Sequence, residues 1–271
     1  MPELPEVETV RRGIEPYLCG ETINGVVVRE RRLRWRVTEE LEQVLPGQKI
    51  LAVKRRGKYL LLETLTGAVI IHLGMTGHLR IVDSPSPPGT HDHVELLIGS
   101  CRLLRFNDPR RFGLIVWTDV DPNNHPLLAH LGVEPLEEEF DGDWLYSCSR
   151  GKRCSVKSLL MNHRILVGVG NIYANEALFR SGIHPGRRSD RISQNRYRRL
   201  AGCVKSLLAE AIESGGTTLS DFVGSDGKPG YFSQALSVYG RESKPCPRCL
   251  SPIRRRVLSQ RASFFCPRCQ H

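Results

Sequence analysis

The chain has 271 residues, 40% of them hydrophobic, with 39 Lys and Arg against 29 Asp and Glu, a formal net charge of +10. That length exceeds what one small core needs and predicts two domains with a small appendage. The composition excludes a wholly disordered, collagenous or coiled-coil chain, and the excess of cations points to an anionic partner, nucleic acid before membrane surface.

The N-terminus is acidic and Pro-rich, Met1-Pro2-Glu3-Leu4-Pro5-Glu6-Val7-Glu8, with neither the basic start nor the apolar run of a secretory signal. No stretch approaches the roughly 18 apolar residues of a spanning helix. The reading is cytoplasmic, with no membrane partner. Disulfide staples are not expected there, and Cys19, Cys101, Cys148, Cys154 and Cys203 read as ordinary thiols.

Val7, Val10, Ile14, Tyr17 and Leu18 recur at helical spacing, with Pro5 in the first turn and Glu6 and Glu8 near the positive end of the dipole. After Gly20 short β-rich runs follow: Ile23–Val28, Ile50–Val53, Tyr59–Leu65, Ala68–Leu73, Leu79–Val82, Val94–Ile98, Arg102–Phe106 and Leu114–Thr118. Gly and Pro clusters separate them, which predicts a β-sandwich or barrel. Residues 119–150 carry little pattern, and Glu134, Glu137, Glu138, Glu139, Asp141 and Asp143 read as an acidic connector facing away from an anionic partner. From about 151 the period turns helical. Tyr197, Leu200, Ala201, Val204, Leu207, Leu208, Ala211 and Ile212 form one apolar stripe, started by Ser193 and ended by Gly215-Gly216.

Three constellations carry chemistry. Cys246-Pro247-Arg248-Cys249 and Cys266-Pro267-Arg268-Cys269 have the C-x2-C spacing that places two thiolates on one metal, and a hairpin between them joins the pairs into a closed, structural zinc site. From 241 to 271 there are eight Lys and Arg against Glu242 alone, so the zinc module reads as a nucleic-acid clamp. At the other end, removal of Met1 would expose the secondary amine of Pro2, followed by Glu3. Such an amine attacks a sugar aldehyde carbon, although most chains that begin Met-Pro-Glu do no chemistry there. Third, Gly168-Val169-Gly170-Asn171 runs into a helix ending near Ser181-Gly182, whose first N–H groups suit an anion.

Taken together, these stretches resemble the bacterial formamidopyrimidine-DNA glycosylase family. Further matches are Arg56-Gly57-Lys58-Tyr59-Leu60, His72-Leu73-Gly74-Met75-Thr76-Gly77, His91-Asp92-His93-Val94, Asp108 to Gly113, Ser225 to Gly230, Val238-Tyr239-Gly240-Arg241 and Gln260-Arg261-Ala262, in the family's order along the whole chain. The resemblance implies an α+β multidomain fold. Residues 1–130 would form a catalytic β-sandwich with a leading helix, 131–150 the acidic connector, 151–235 a helix–two-turns–helix domain and 236–271 a four-cysteine zinc finger. Double-stranded DNA with oxidised purines would lie in the basic cleft between the domains of a monomer.

The resemblance also implies roles. Pro2 is the nucleophile at C1′ of the damaged nucleotide, and its iminium permits β- and then δ-elimination. Glu3 moves protons, Lys58 assists beside the sugar and phosphate, and Arg261 grips phosphate and helps the later elimination. Glu6 orders a water behind Pro2. Met75, Arg110 and Phe112 fill the gap left by the flipped nucleotide. His72, His91, Lys152, Arg153, Lys157, Asn171 and Tyr239 contact DNA, Cys246, Cys249, Cys266 and Cys269 hold one Zn2+, and the Thr217–Tyr231 loop covers the flipped base. The endonuclease VIII-like branch, which prefers oxidised pyrimidines, is the nearer alternative, with a non-catalytic zinc-ribbon binder of nucleic acid behind it. Leu4 and the Arg110/Phe112 pair favour the purine branch. Asn162-His163-Arg164 departs from an acidic residue and Lys usual in the family, and Ser263 and Phe265 from Thr and Tyr.

Overall fold

Helix α1 (Leu4–Leu18) begins where Glu3 leaves the helical region, at φ −104° and ψ −170°. The Glu6 carboxylate accepts the Glu3 N–H at 2.8 Å, which satisfies a donor that the helix itself leaves open. Its Leu4, Val7, Val10, Ile14 and Leu18 are buried. The computed structural model describes residues 2–216 and 236–271. They belong to two units, Met1–His130 with Ser214–Ser233 and Leu131–Glu213 with Gln234–His271.

In the first unit α1 is followed by β1 (Ile23–Val28), α2 (Glu40–Val44), β2 (Ala52–Arg56), β3 (Tyr59–Glu63), β4 (Ala68–His72), β5 (His78–Asp83), β6 (Asp92–Ile98), β7 (Arg102–Asn107) and β8 (Leu114–Thr118). They make two antiparallel four-stranded sheets, ordered β1-β6-β7-β5 and β2-β3-β4-β8. One core unites them with α1: Val10 and Ile14 from the helix, Leu60, Val69 and Ile115 from one sheet, Val94, Leu104 and Phe106 from the other. This is the expected sandwich. Six of the eight strands differ in bounds from the sequence reading, β2 and β3 with a clear physical reason. β2 extends through Lys54, Arg55 and Arg56, whose charges hide the strand pattern but are compensated: Lys54 pairs with Glu63 at 2.7 Å and Arg55 with Glu8 at 3.1 Å. β3 stops at Glu63 because Thr64 N–H donates to Gly67 O, which leaves Leu65 85% exposed on a turn.

The second unit contains α3 (Gly142–Ser149), α4 (Val156–Leu160), α5 (Asn171–Ser181), α6 (Gln194–Glu213) and the hairpin β9 (Arg254–Leu258) and β10 (Arg261–Phe265). All eight residues of the predicted stripe on α6 are buried. The stretch read as a connector carries α3, started by Asp141, whose carboxylate accepts the Trp144 N–H at 2.7 Å. Asp143 pairs with Arg198 on α6 at 2.8 Å, so these acids are spent inside the unit. The zinc module also belongs to this unit: Phe179 of α5 shares a core with Val238, Cys246, Ile253, Phe264 and Cys266.

Candidate functional site

In the first unit, Pro2 and Glu3 are buried at the start of α1. Gly216 takes φ +79° beside them, where a Cβ would lie 3.1 Å from Glu6 Oε1. Helix α1 packs on β2 and β3. Arg55 fixes the alignment, donating from Nε to Glu8 at 3.1 Å and from Nη1 to Gly57 O at 3.1 Å. Gly57 and Lys58 are the two-residue turn of that hairpin, closed by the Arg56–Tyr59 pair. Gly57 has φ +58°, the glycine-first pattern of a tight hairpin turn. The chain's first helical turns are thereby clamped to the turn that presents Lys58.

His72 pairs with Tyr59 across the sheet, ring centroids 4.8 Å apart. Its Nδ1 accepts the Gly74 N–H at 2.9 Å. Burial, then the positive charges of Lys58 and Arg34, push its pKa down to about 3. A neutral imidazole whose Nδ1 is an acceptor carries its proton on Nε2, so His72 offers one N–H donor.

The proposed wedge residues converge around Asp108, which is fully buried. Its Oδ1 accepts from Thr76 Oγ1 at 2.7 Å and from Arg110 N at 3.3 Å, and its Oδ2 from Gly113 N at 2.8 Å. Its own N–H donates to His91 O at 3.0 Å, and its carbonyl meets His93 Nε2 at 2.8 Å. One residue thus joins the turn of Met75, the loop of Arg110 and Phe112, and the strand entrance at His91. Gly74 makes the close crossing possible: at φ +65°, a Cβ there would fall 2.5 Å from Gly113 N and Phe112 C. Met75 is 37% and Phe112 45% exposed, and the Arg110 guanidinium lies 4.6 Å from the Phe112 ring centroid. Large apolar side chains left in water on one rigid platform are the surfaces that a core would not waste. Arg110 and His91 are also exposed.

In the second unit α5 is the organiser. Asn171 is half-buried at its first turn. Asn175 donates to Asn171 O at 2.6 Å and accepts the Phe264 N–H of the zinc hairpin at 2.8 Å. The buried Glu176 accepts three backbone N–H groups, from Ser237 at 2.9 Å, Val238 at 2.9 Å and Tyr239 at 2.8 Å. Asp108, Asn175 and Glu176 were not singled out in the sequence, because an acid or amide spent on distant backbone leaves no periodic trace.

Arg261 is exposed at the start of β10, after a Ser259-Gln260 turn with φ +48° and +61°. Lys152 and Arg153 are exposed too. Lys157, for which the resemblance implies a phosphate contact, has partners inside its own unit. It is 2% exposed, and its ammonium donates to Ala262 O at 2.8 Å and Ser263 Oγ at 2.7 Å. Burial of a cation requires such acceptors, and here they belong to the strand that carries Arg261. The Ser263 hydroxyl supplies one of them.

The four cysteine Sγ atoms all lie within 4.8 Å of one another, Cys249 to Cys266 at 3.4 Å and Cys246 to Cys269 at 3.9 Å. Thiolates at the corners of a zinc tetrahedron stand about 3.8 Å apart, so the set fits one structural zinc ion. The Cys266 N–H donates to Gln270 Oε1 at 2.8 Å, which orders the second pair. The expected base-covering loop, Thr217–Tyr231, lies outside the described residues. Among those described, no helix is long and apolar enough to cross a membrane.

Comparisons with known proteins agree along the whole chain. The formamidopyrimidine-DNA glycosylase N-terminal domain matches residues 1–115, the H2TH domain of the same enzymes 131–223, and the zinc finger found in FPG and IleRS 243–271. A formamidopyrimidine-DNA glycosylase of Nitrosococcus oceani is 58% identical over 271 residues, and one of Marinobacter nauticus 56% over 270, each covering 100% of both chains. The crystal structure of the MutM (Fpg) protein of Thermus thermophilus superposes with a TM-score of 0.89 at 41% identity, covering 99% of this chain and 98% of that one. Lactococcus lactis Fpg in complex with DNA containing an abasic site gives 0.90 at 31% identity, covering 99% of both chains. The chain belongs to the formamidopyrimidine-DNA glycosylase family.

Proposed function

We propose that this protein removes oxidised purines from double-stranded DNA and then cuts the strand, acting in the bacterial cytoplasm as a glycosylase and abasic-site lyase. The observation that carries this reading is the Arg55 clamp, which fixes the chain start to the Lys58 turn, in a chain that matches glycosylases from end to end. After loss of Met1, the Pro2 nitrogen attacks C1′. The C1′–N bond to the damaged base breaks, and the base leaves with a proton. Protonation of O4′ by Glu3 breaks the C1′–O4′ bond and opens the sugar to a cationic iminium, which draws electrons from the C2′–H bond, so the 3′ phosphate leaves by β-elimination and the 5′ phosphate by δ-elimination.

Glu3 supplies and retrieves protons, while Lys58 and the neutral N–H of His72 hold phosphate beside the sugar. Met75, Arg110 and Phe112 occupy the vacated stack, with the Arg110 donors turned to the orphaned base. Asn171, Tyr239 and Arg261 hold the backbone, with Lys152 and Arg153 adding charge, and zinc bound by the four cysteines keeps Arg261 in place.

Borohydride reduction during reaction with a duplex containing 8-oxoguanine tests this. One covalent adduct should form, and peptide mapping should place it on the Pro2 amine. An adduct on Lys58 alone, or none, would reject the assignment.

A further inference from the structure

The segment Arg29–Arg36 carries five arginines against Glu30, and their guanidinium groups differ in circumstance. Arg29 pairs with Glu95 at 2.7 Å, Arg32 with Glu30 at 2.7 Å, and Arg31 with Glu42. Arg111 of the wedge loop also reaches Glu30, at 3.4 Å. Arg34 makes no ion pair with any described carboxylate and is exposed. It is nevertheless firmly presented. Leu33 and Val37 on either side are buried in the sandwich core, and the Val37 N–H closes the loop on Arg31 O at 2.9 Å.

The placement of Arg34 points to a use. Its N–H donates to Gly113 O at 3.1 Å, immediately after Phe112. Gly113 is packed so tightly that a Cβ there would lie 2.7 Å from His72 O. The positive charge of Arg34 reaches both Tyr59 and His72. An exposed cation tied through its backbone to the Phe112 loop, whose charge acts with that of Lys58 on the same imidazole while Glu30, Glu42 and Glu95 each pair with a different arginine, suits an incoming anion.

We propose that Arg34 is a further phosphate-binding residue, which takes a phosphodiester of the bound DNA next to the one held at Lys58 and His72. The inference rests on the functional reading above, and its test separates the two. Binding of the full chain to a duplex carrying a tetrahydrofuran abasic analogue is measured over a series of salt concentrations. Each phosphate contact contributes about 0.9 to the slope of log K against log salt. Arg34→Ala should lower the slope by about 0.9 and weaken binding about tenfold at low salt. Arg34→Lys should keep the slope, and Arg32→Ala, which removes an equal but paired charge, should not change it. A wild-type slope in Arg34→Ala, or an equal fall in Arg32→Ala, would overturn the inference while borohydride trapping by the wild type stays intact. Failure of the wild type to trap would instead strike the functional reading itself.

Discussion

Asp108 permits the sharpest test of how the wedge is built. Its carboxylate receives two short hydrogen bonds, from Thr76 at 2.7 Å and Gly113 at 2.8 Å, and a longer one from Arg110 N at 3.3 Å. A hydrogen bond to a charged acceptor is worth about 1.5–3 kcal/mol net. Asp108→Asn can keep its oxygen on the Gly113 N–H and donate its NH2 to the Thr76 hydroxyl, so what is lost is the charge and the contact from the Arg110 N–H, which now faces NH2, about 2 kcal/mol. That lowers the population of the ordered wedge about thirtyfold relative to its alternatives. Asp108→Ala forfeits all three bonds and opens a cavity, about 3–5 kcal/mol. Stopped-flow fluorescence of 2-aminopurine beside the lesion reports wedge insertion, and urea unfolding reports stability. The expected order of insertion rates is wild type, then Asn, then Ala, with Asn reducing insertion far more than it reduces phosphate-driven binding to undamaged duplex. Wild-type insertion rates in both variants would refute the reasoning.

Two further outcomes follow from the geometry. Cys249→Ser, or chelation, should release zinc, loosen the hairpin of Arg261 and abolish tight DNA binding, while hydrogen exchange in the two sheets of the first unit stays slow; full zinc occupancy in the variant would contradict the four-cysteine site. His72 has a folded pKa of about 3 against an ordinary 6.5, so the unfolded chain takes up that proton first as pH falls. Its contribution to stability should be complete above about pH 6.5 and should decline toward pH 3, and the urea midpoint of His72→Gln should lack that part of the wild-type pH dependence. Equal profiles for the two proteins would contradict a neutral, half-buried imidazole.

The sandwich was legible because most strands alternate or run apolar between turn residues, and β1 and β8 match their sequence bounds. The metal centre was legible because two C-x2-C pairs allow few other uses. What escaped depends on partners far along the chain. For Lys157, whose phosphate contact is implied by the resemblance, nothing local announces that its ammonium has acceptors at Ala262 and Ser263, more than a hundred positions away. Strand β2 was blurred by Arg55, whose neutralising Glu8 lies in another element. Helix α3 was read as connector because its acids look like solvated charge until Arg198 is brought against Asp143.

The arrangement on α5 sets a limit on how this family member can change. Asn171 and Asn175 lie about 40° apart around the helix axis, and Glu176 about 100° beyond Asn175. The helix acts as a gauge block: one face sets the zinc hairpin through Phe264, and a second sets the Tyr239 loop through three N–H groups. A one-residue insertion or deletion between Asn171 and Asn175 would turn Asn171 by about 100° relative to the faces set by Asn175 and Glu176, so no side-chain substitution could restore all three. Over these positions the chain can drift in composition but not in length, whereas exposed turns such as that of Leu65 are free to do both.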